Sequence, residues 1–392
     1  MLDCRMTTGT RSDPLSRIEE KLLSGDRLDS ADGLALLRSD DLLRLGRMAD
    51  AARRRQVAAT RASEGRADPA GSAPEGEPPD DVYFINNRNI NHTNICKNRC
   101  ELCAFSRDEG EDGAYLMTLD EVLAKARASA AEGATEFHIV GGEHPTLGYG
   151  PIRDMIAGLH EACPDVTLTA FTASEIVHFA EISGMSEQQV LLDLKLVGLA
   201  SLPGGGAEVF APRVRGMVCS RKISGEKWLQ VHKLAHRLGL PTNATMLYGH
   251  RETLEERVDH LLRLREAQDE TGGFQAFIPL AFHPRNTRLA ELTLTTGVDD
   301  LKMLAVSRLV LDNFAHIKAY WVMVGLKLAQ LSLFFGVDDV DGTIVEETIT
   351  KAAAGEAGQA VPRNELVRLI RDAGRTPVER DTFYRAVRRY EG

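Results

Sequence analysis

From Val82 onward, short apolar runs of β-favouring residues alternate with longer stretches in which apolar positions recur at helical spacing. That alternation predicts an α/β architecture, a parallel sheet whose strands are joined by crossover helices. Strands are expected at 90–95, 136–140, 166–171, 198–202, 242–247, 273–278 and 317–322, with an eighth near 339–344. The intervening helices carry start signals: Thr118 with Glu121, Ser186 with Gln189, and Thr253 with Glu256 fit the capping box. Gly133, Gly198 and Gly239 stand where helices would end. Seven or eight such units between residues 81 and 355 predict a TIM-type (β/α)8-like barrel, complete or partly open. Chemistry in such a barrel is expected at the C-terminal ends of the strands.

The flanks read differently. Residues 13 to 57 contain amphipathic runs, so an N-terminal helical extension over 1–60 is expected outside the barrel. Residues 61–80 are rich in Gly, Ala, Pro, Ser and Glu, with almost nothing to bury, and read as a mobile linker. The tail, 356–392, has basic and acidic residues interleaved from Pro362 and reads as helix without an assignable function.

Composition narrows the function class. The chain of 392 residues is 43% apolar and 27% charged, enough for an enzyme-sized core. A formal net charge of -10 argues against nucleic acid as a partner. The N-terminus has no apolar segment of leader length. The most apolar stretch, Leu304 to Phe335, is interrupted by Arg308, Asp312, Lys318 and Lys327, so no bilayer span and a cytoplasmic location are expected. Three of the six cysteines fall between positions 96 and 103, which suits reduced thiolates serving a metal better than a secreted disulfide framework. Cys4, Cys163 and Cys219 read as ordinary thiols.

The segments that leave the strand ends carry the candidate chemistry. After the first strand comes Cys96-Lys-Asn-Arg-Cys100-Glu-Leu-Cys103, a C-x3-C-x2-C loop. Three thiolates this close suit one compact centre, either zinc completed by a fourth ligand such as His92, or an iron–sulfur cluster with one iron left open. After the second strand, Gly141 and Gly142 permit close backbone approach to a ligand, and the Glu143 carboxylate can meet a cation. Thr172, Ser174 and Glu175 follow the third, either as polar groups at the barrel mouth or as a helix cap. Gly204-Gly-Gly206 follows the fourth and suggests close approach of a ligand or of backbone. Asn243, Thr245, Tyr248 and His250 lie on or after the fifth, and His283, Arg285 and Asn286 follow the sixth.

The C-x3-C-x2-C spacing after a first barrel strand resembles the signature of the radical S-adenosylmethionine (SAM) superfamily. Leu102 departs from it, since an aromatic residue is common there. The resemblance implies a [4Fe–4S] cluster on Cys96, Cys100 and Cys103 with SAM at the open iron. It also implies Gly141, Gly142 and Glu143 at the amino group of SAM, and Thr172, Ser174 and Glu175 near its ribose or carboxylate. Asn94 to Phe105, His138 to Pro145, Ser201 to Glu208 and Asp312 to Trp321 also carry the resemblance, and Thr242 to His250 with Gln268 to His283 narrow it to the aminofutalosine synthase family of menaquinone biosynthesis. Dehypoxanthine futalosine cyclase and deazaflavin synthase are sister alternatives that share the cysteines and the triple glycine. The implied reaction adds the 5′-deoxyadenosyl group of SAM to 3-[(1-carboxyvinyl)oxy]benzoate, giving 6-amino-6-deoxyfutalosine, methionine and bicarbonate. Its electron is expected from a reductant such as flavodoxin or ferredoxin. A closed apolar pocket must hold the vinyl group at near-attack distance. Two substrate carboxylates also need cationic or donor partners, for which Arg213, Tyr248, His250, His283 and Arg285 are the candidates.

Overall fold

The computed structural model describes residues 13–63, 80–346, 348–353 and 360–391. Three helices come first: α1 (Pro14–Ser24), α2 (Ser30–Arg38) and α3 (Leu42–Ser63). Asp13 caps α1 with Pro14 at its first turn, Gly25 ends it at φ 79°, and Asp29 with Asp32 forms a capping box on α2. Most of the segment read as a linker lies outside the described residues, although α3 continues into its beginning as far as Ser63.

The chain then alternates. It runs β1 (Asp81–Ile85), β2 (Asn87–Ile90), α4 (Leu119–Ala131), β3 (Glu136–Ile139), α5 (Tyr149–Ala162), β4 (Thr167–Ala170), α6 (Ala173–Ser183), α7 (Glu187–Leu196) and β5 (Leu199–Ser201). It continues α8 (Pro212–Val218), α9 (Gly225–Arg237), β6 (Thr242–Tyr248), α10 (Leu254–Thr271), β7 (Phe274–Ala281), α11 (Gly297–Val310), β8 (His316–Ile317), α12 (Trp321–Val324), α13 (Leu326–Ser332) and β9 (Asp339–Gly342). Last come α14 (Ile349–Ala352), α15 (Arg363–Asp372), β10 (Thr376–Arg380) and β11 (Ala386–Arg389). The capping boxes expected at Thr118, Ser186 and Thr253 are all formed.

β2 to β5 and β6 to β8 form two parallel runs. Single parallel bridges join them and close the ring: Leu202 to Thr242, Lys318 to Asp339, and Arg88 to Val345. β1 and β2 are one stave interrupted at Asn86, β1 pairing with β9 while β2 pairs with β3. The result is a closed eight-stave parallel barrel jacketed by helices. The N-terminal helices lie outside it, α2 against α10 and α11, and α3 along α11.

Three expectations are corrected. The first strand ends at Ile90 rather than Ile95, because the backbone beyond it bonds the returning loop: Met117 N–H donates to His92 O (2.8 Å) and Arg107 N–H to Asn94 O (2.8 Å). The stave at 317–322 keeps only His316–Ile317, since Trp321–Val324 turns into a short helix whose indole N–H reaches Gly342 O (2.9 Å). The tail is helical only to Asp372; Gly374 (φ 71°) turns the chain and β10 pairs in parallel with all of β1, with β11 folding back on it.

The turn after β10 enters the barrel floor. Thr382 Oγ1 donates to the Glu136 carboxylate (2.9 Å), which also accepts from Thr169 Oγ1 (3.0 Å). Arg380 Nε donates to Asp339 Oδ2 (2.7 Å), and the Tyr384 ring stacks on His316 at 3.6 Å. Glu136, His316 and Asp339 are each the first residue of a stave, so this turn closes the N-terminal end of the barrel.

Candidate active site

One cavity of about 340 Å³ runs through the barrel interior. Cys96, Cys100, Cys103 and Leu102 line it beyond the strand ends, and Asn89, His138, Lys318 and Arg380 line it at depth. The volume suits a small-molecule site.

The cysteine loop is held by its neighbours' backbone. Cys96 N–H donates to Arg107 O (3.0 Å), Lys97 N–H to Glu143 O (2.9 Å) and Glu101 N–H to Val218 O (3.0 Å). Arg99, left-handed at φ 43°, donates to Ser106 O (2.6 Å) and pairs with Glu111 (2.8 Å), stapling the turn. Burial pushes the Cys100 thiol up to about 12 and the Cys96 thiol upward, so a metal that binds here must displace their protons. Lys222, paired with Glu208 at 2.8 Å, is the cation beside Cys100.

The donor set fits an iron–sulfur cube. Its three thiols all line one cavity, and a cube takes such thiolates on separate irons. His92, the fourth ligand of the zinc reading, is packed elsewhere: its ring meets Phe171 edge-on and lies under Gly141. Burial lowers its pKa to about 4, so it sits there as a neutral ring.

Gly141 and Gly142 are required by close approach. A Cβ on Gly141 would lie 2.4 Å from His92 Cε1, and one on Gly142 would lie 2.1 Å from Ile95 O. The Gly142 N–H donates to Thr93 O (2.9 Å), so this strip is laced to the cysteine loop. Glu143 is buried, accepts from Ser174 Oγ and lies 3.8 Å from Lys97 Nζ. Thr172 and Glu175 form the capping box of α6, and Glu175 also accepts from Gly141 N–H (3.0 Å). Burial outweighs these bonds and raises the Glu175 carboxyl to about 7. Cap and cavity wall are thus the same residues.

The triple-glycine loop approaches backbone. A Cβ on Gly204 would lie 2.7 Å from Asn243 O, and Thr245 Oγ1 donates to Gly204 O (2.6 Å).

Of the candidates for the substrate carboxylates, His283 lines the cavity, with Nε2 2.9 Å from Met323 O. The others do not. Tyr248 faces the opposite side of β6 from Asn243, Thr245 and Leu247, and its hydroxyl donates to Asp300 (2.7 Å). His250 is folded onto Leu247 O (2.8 Å) and Glu252 (3.1 Å). Arg213 is exposed on α8 and pairs with Glu256, and Arg285 is exposed outside the cavity. Asn286, left-handed at φ 60°, donates from Nδ2 to Ala352 O (2.9 Å) on α14. Residues missed by sequence reasoning are Asn89, His138, Lys222, Lys318, Arg380 and Thr382. The period-two pattern of β3, with Glu136, His138 and Val140 facing inward, carried a signal for His138. Cys163 and Cys219 are buried free thiols, and Cys4 lies outside the described residues.

Comparisons with known proteins agree with this geometry. The family described as the radical SAM superfamily matches residues 90–264, and the one described as the CofH/MqnC C-terminal region matches 271–391. The chain is 46% identical to the aminodeoxyfutalosine synthase of Thermus thermophilus, covering 97% of this chain and 98% of that one. It is 44% identical to the synthase of Streptomyces coelicolor, covering 96% and 94%. The 5-amino-6-(D-ribitylamino)uracil–L-tyrosine 4-hydroxyphenyl transferase of Methanococcoides burtonii is 39% identical, over 79% of this chain and 88% of that one. Among solved structures, methylornithine synthase PylB aligns with a TM-score of 0.65 at 17% identity, covering 91% of this chain and 95% of that one. The hydrogenase maturase HydG of Carboxydothermus hydrogenoformans aligns at 0.68 and 17%, covering 95% and 80%. These two share the fold. No helix among the described residues is long and apolar enough to cross a membrane. With near-full-length identity to the two synthases and three loop cysteines facing one barrel cavity, the chain belongs to the aminodeoxyfutalosine synthase family of the radical SAM superfamily.

Proposed function

We propose that this protein joins the 5′-deoxyadenosyl group of SAM to 3-[(1-carboxyvinyl)oxy]benzoate, in the cytoplasm and with an electron from a flavodoxin or ferredoxin. The observation that carries the reading is one cavity lined both by the three loop thiols and by a deep barrel interior. When bound, the cluster supplies the electron that opens the sulfonium and SAM supplies the adenosyl group that adds to the vinyl carbon.

The chain's own residues do the rest. Cys96, Cys100 and Cys103 hold the cluster from a loop whose backbone is fixed on three sides. The Gly141–Gly142 strip brings backbone close beside that loop, with the Glu143 carboxylate for the amino group of SAM and Thr172, Ser174 and Glu175 adjoining it. Leu247, Ile278, Leu280 and Phe282 line the middle of the cavity, an apolar wall that excludes water from a reactive carbon centre. Holding both partners inside one closed barrel supplies proximity.

The test is anaerobic incubation of reconstituted, reduced protein with SAM and the carboxyvinyl ether, read by mass spectrometry. An adenosine adduct lacking one carboxylate is expected. Release of 5′-deoxyadenosine with the enol ether intact would refute the proposal.

A further inference from the structure

At depth the barrel carries polar groups that neither the thiol loop nor the Gly141–Glu143 strip uses. Asn89 on β2 and His138 on β3 are direct register partners, and both line the cavity. Asn89 is buried, yet neither its side-chain amide nor the His138 ring makes a hydrogen bond to any described residue. Lys318, just past β8, is 6% exposed and lines the same cavity. Its Nζ lies 3.6 Å from Asp341 Oδ2, beyond hydrogen-bond reach, and has no hydrogen-bond acceptor among the described residues.

The other cations of the cavity are committed. Lys222 donates to Glu208 (2.8 Å), and Arg380 donates to Asp339 (2.7 Å) and to Asp381 O (3.0 Å). A buried ammonium with three unused N–H groups is costly unless something supplies acceptors. Asp341 neutralises part of its charge but holds its other oxygen toward Asn87 Nδ2 at 3.4 Å. Burial, opposed by Glu136 and Asp341 and aided by Lys318, lowers the His138 pKa, leaving a neutral ring that can donate one hydrogen bond.

We infer that Lys318, with Asn89 and His138 beside it, binds the ring carboxylate of the aryl enol ether. This rests on the reaction proposed above. The depth of the group selects that carboxylate over the other. Asn89 and His138 lie within β2 and β3, whereas the thiols and Gly141–Glu143 come after the ends of those strands. A substrate whose vinyl carbon is near SAM has its second carboxylate beside that carbon, and only the ring carboxylate extends inward. Ile278, Leu280 and Phe282 then face the aromatic ring between the two ends.

The test compares the diacid with its analogue lacking the ring carboxylate, on wild-type protein, Lys318→Met and Asn89→Ala. Substrate affinity is measured by calorimetry and KM and kcat by product formation, with iron content, Tm and SAM affinity as controls. In wild type the analogue binds about 10- to 100-fold more weakly than the diacid, the range of a charge-assisted hydrogen bond. In K318M the diacid falls to the analogue's affinity, and N89A weakens the diacid by a smaller factor while leaving the analogue unchanged. If K318M loses its fold, N89A still decides by that selectivity. Full discrimination retained in either variant that folds would overturn the inference, as would loss of SAM affinity with diacid affinity intact. If wild type makes no adduct from the diacid, the reaction proposal itself fails, an outcome distinct from adduct formation with unchanged selectivity.

Discussion

Gly142→Ala is the sharpest perturbation of the site. The new methyl would stand 2.1 Å from Ile95 O, 2.7 Å from Ile95 C and 3.0 Å from Cys96 Cβ, where real Cβ contacts essentially never fall below 3.0 Å. The cysteine loop must therefore retreat by about 0.9 Å, and the obstacle is backbone rather than the flexible end of a side chain. Overpacking of this kind costs about 1–3 kcal/mol. The larger effect is functional, since a displacement near 1 Å in positioned groups costs on the order of 100-fold in rate. The assay is threefold: Tm of the apo protein, iron and sulfide per chain after anaerobic reconstitution, and the rate of adduct formation. A lower Tm by a few degrees, substoichiometric iron and a rate reduced about 100-fold are expected. Gly216→Ala is the control, because that glycine is in α8 with nothing within 4 Å of the added methyl, and alanine there should stabilise by about 0.5–1 kcal/mol. A G142A protein with full iron and a rate within threefold of wild type would refute the close-approach argument.

Two further outcomes are expected. Stability should fall as pH drops from about 6.5 toward 4. His260, with a pKa lowered to about 3, accepts from Phe210 N–H (3.2 Å) while Nε2 donates to Thr245 O (2.9 Å), an arrangement only the neutral ring can make. His236 is likewise lowered to about 4. The unfolded chain takes up these protons first, so protonation favours unfolding; Tm measured from pH 7.5 to 4.5 should decline, and His260→Gln should flatten the slope. Arg213→Ala should leave substrate affinity within about twofold, because its guanidinium is engaged on the surface with Glu256; a large loss measured by calorimetry would show that the cavity reaches it.

The barrel was legible because its staves obey period two and its helices start on recognisable caps. The thiol loop was legible because three of six cysteines fall within eight positions, and the Gly141–Glu143 strip because paired glycines follow a strand one unit after it. Long-range pairing was not legible. Gly374 and Pro377 mark where the helix stops, but nothing local says that Thr376-Pro-Val-Glu-Arg380 pairs with β1. The substrate cations were misplaced for a related reason. Arg213 and Arg285 follow strands in sequence but stand on α8 and in an exposed turn, while on the barrel wall the pleat turns Tyr248 away and Lys318 lines the cavity. Burial does not separate the two sets, since Tyr248 is buried outside the cavity and His283 is half-buried within it; the direction of the side chain does.

The pairing of β1 with β10 also orders events during synthesis. Asp80 and Arg375, joined by an ion pair at the start of these strands, are 295 residues apart. At ribosomal speed the interval between them is about 15–60 s. Through that time Val82, Tyr83, Phe84 and Ile85 have no partner along one edge, and an apolar strand with an open edge invites pairing with another chain. The β1 edge therefore waits for β10, and agents that slow elongation through the last third should raise aggregation before they lower specific activity.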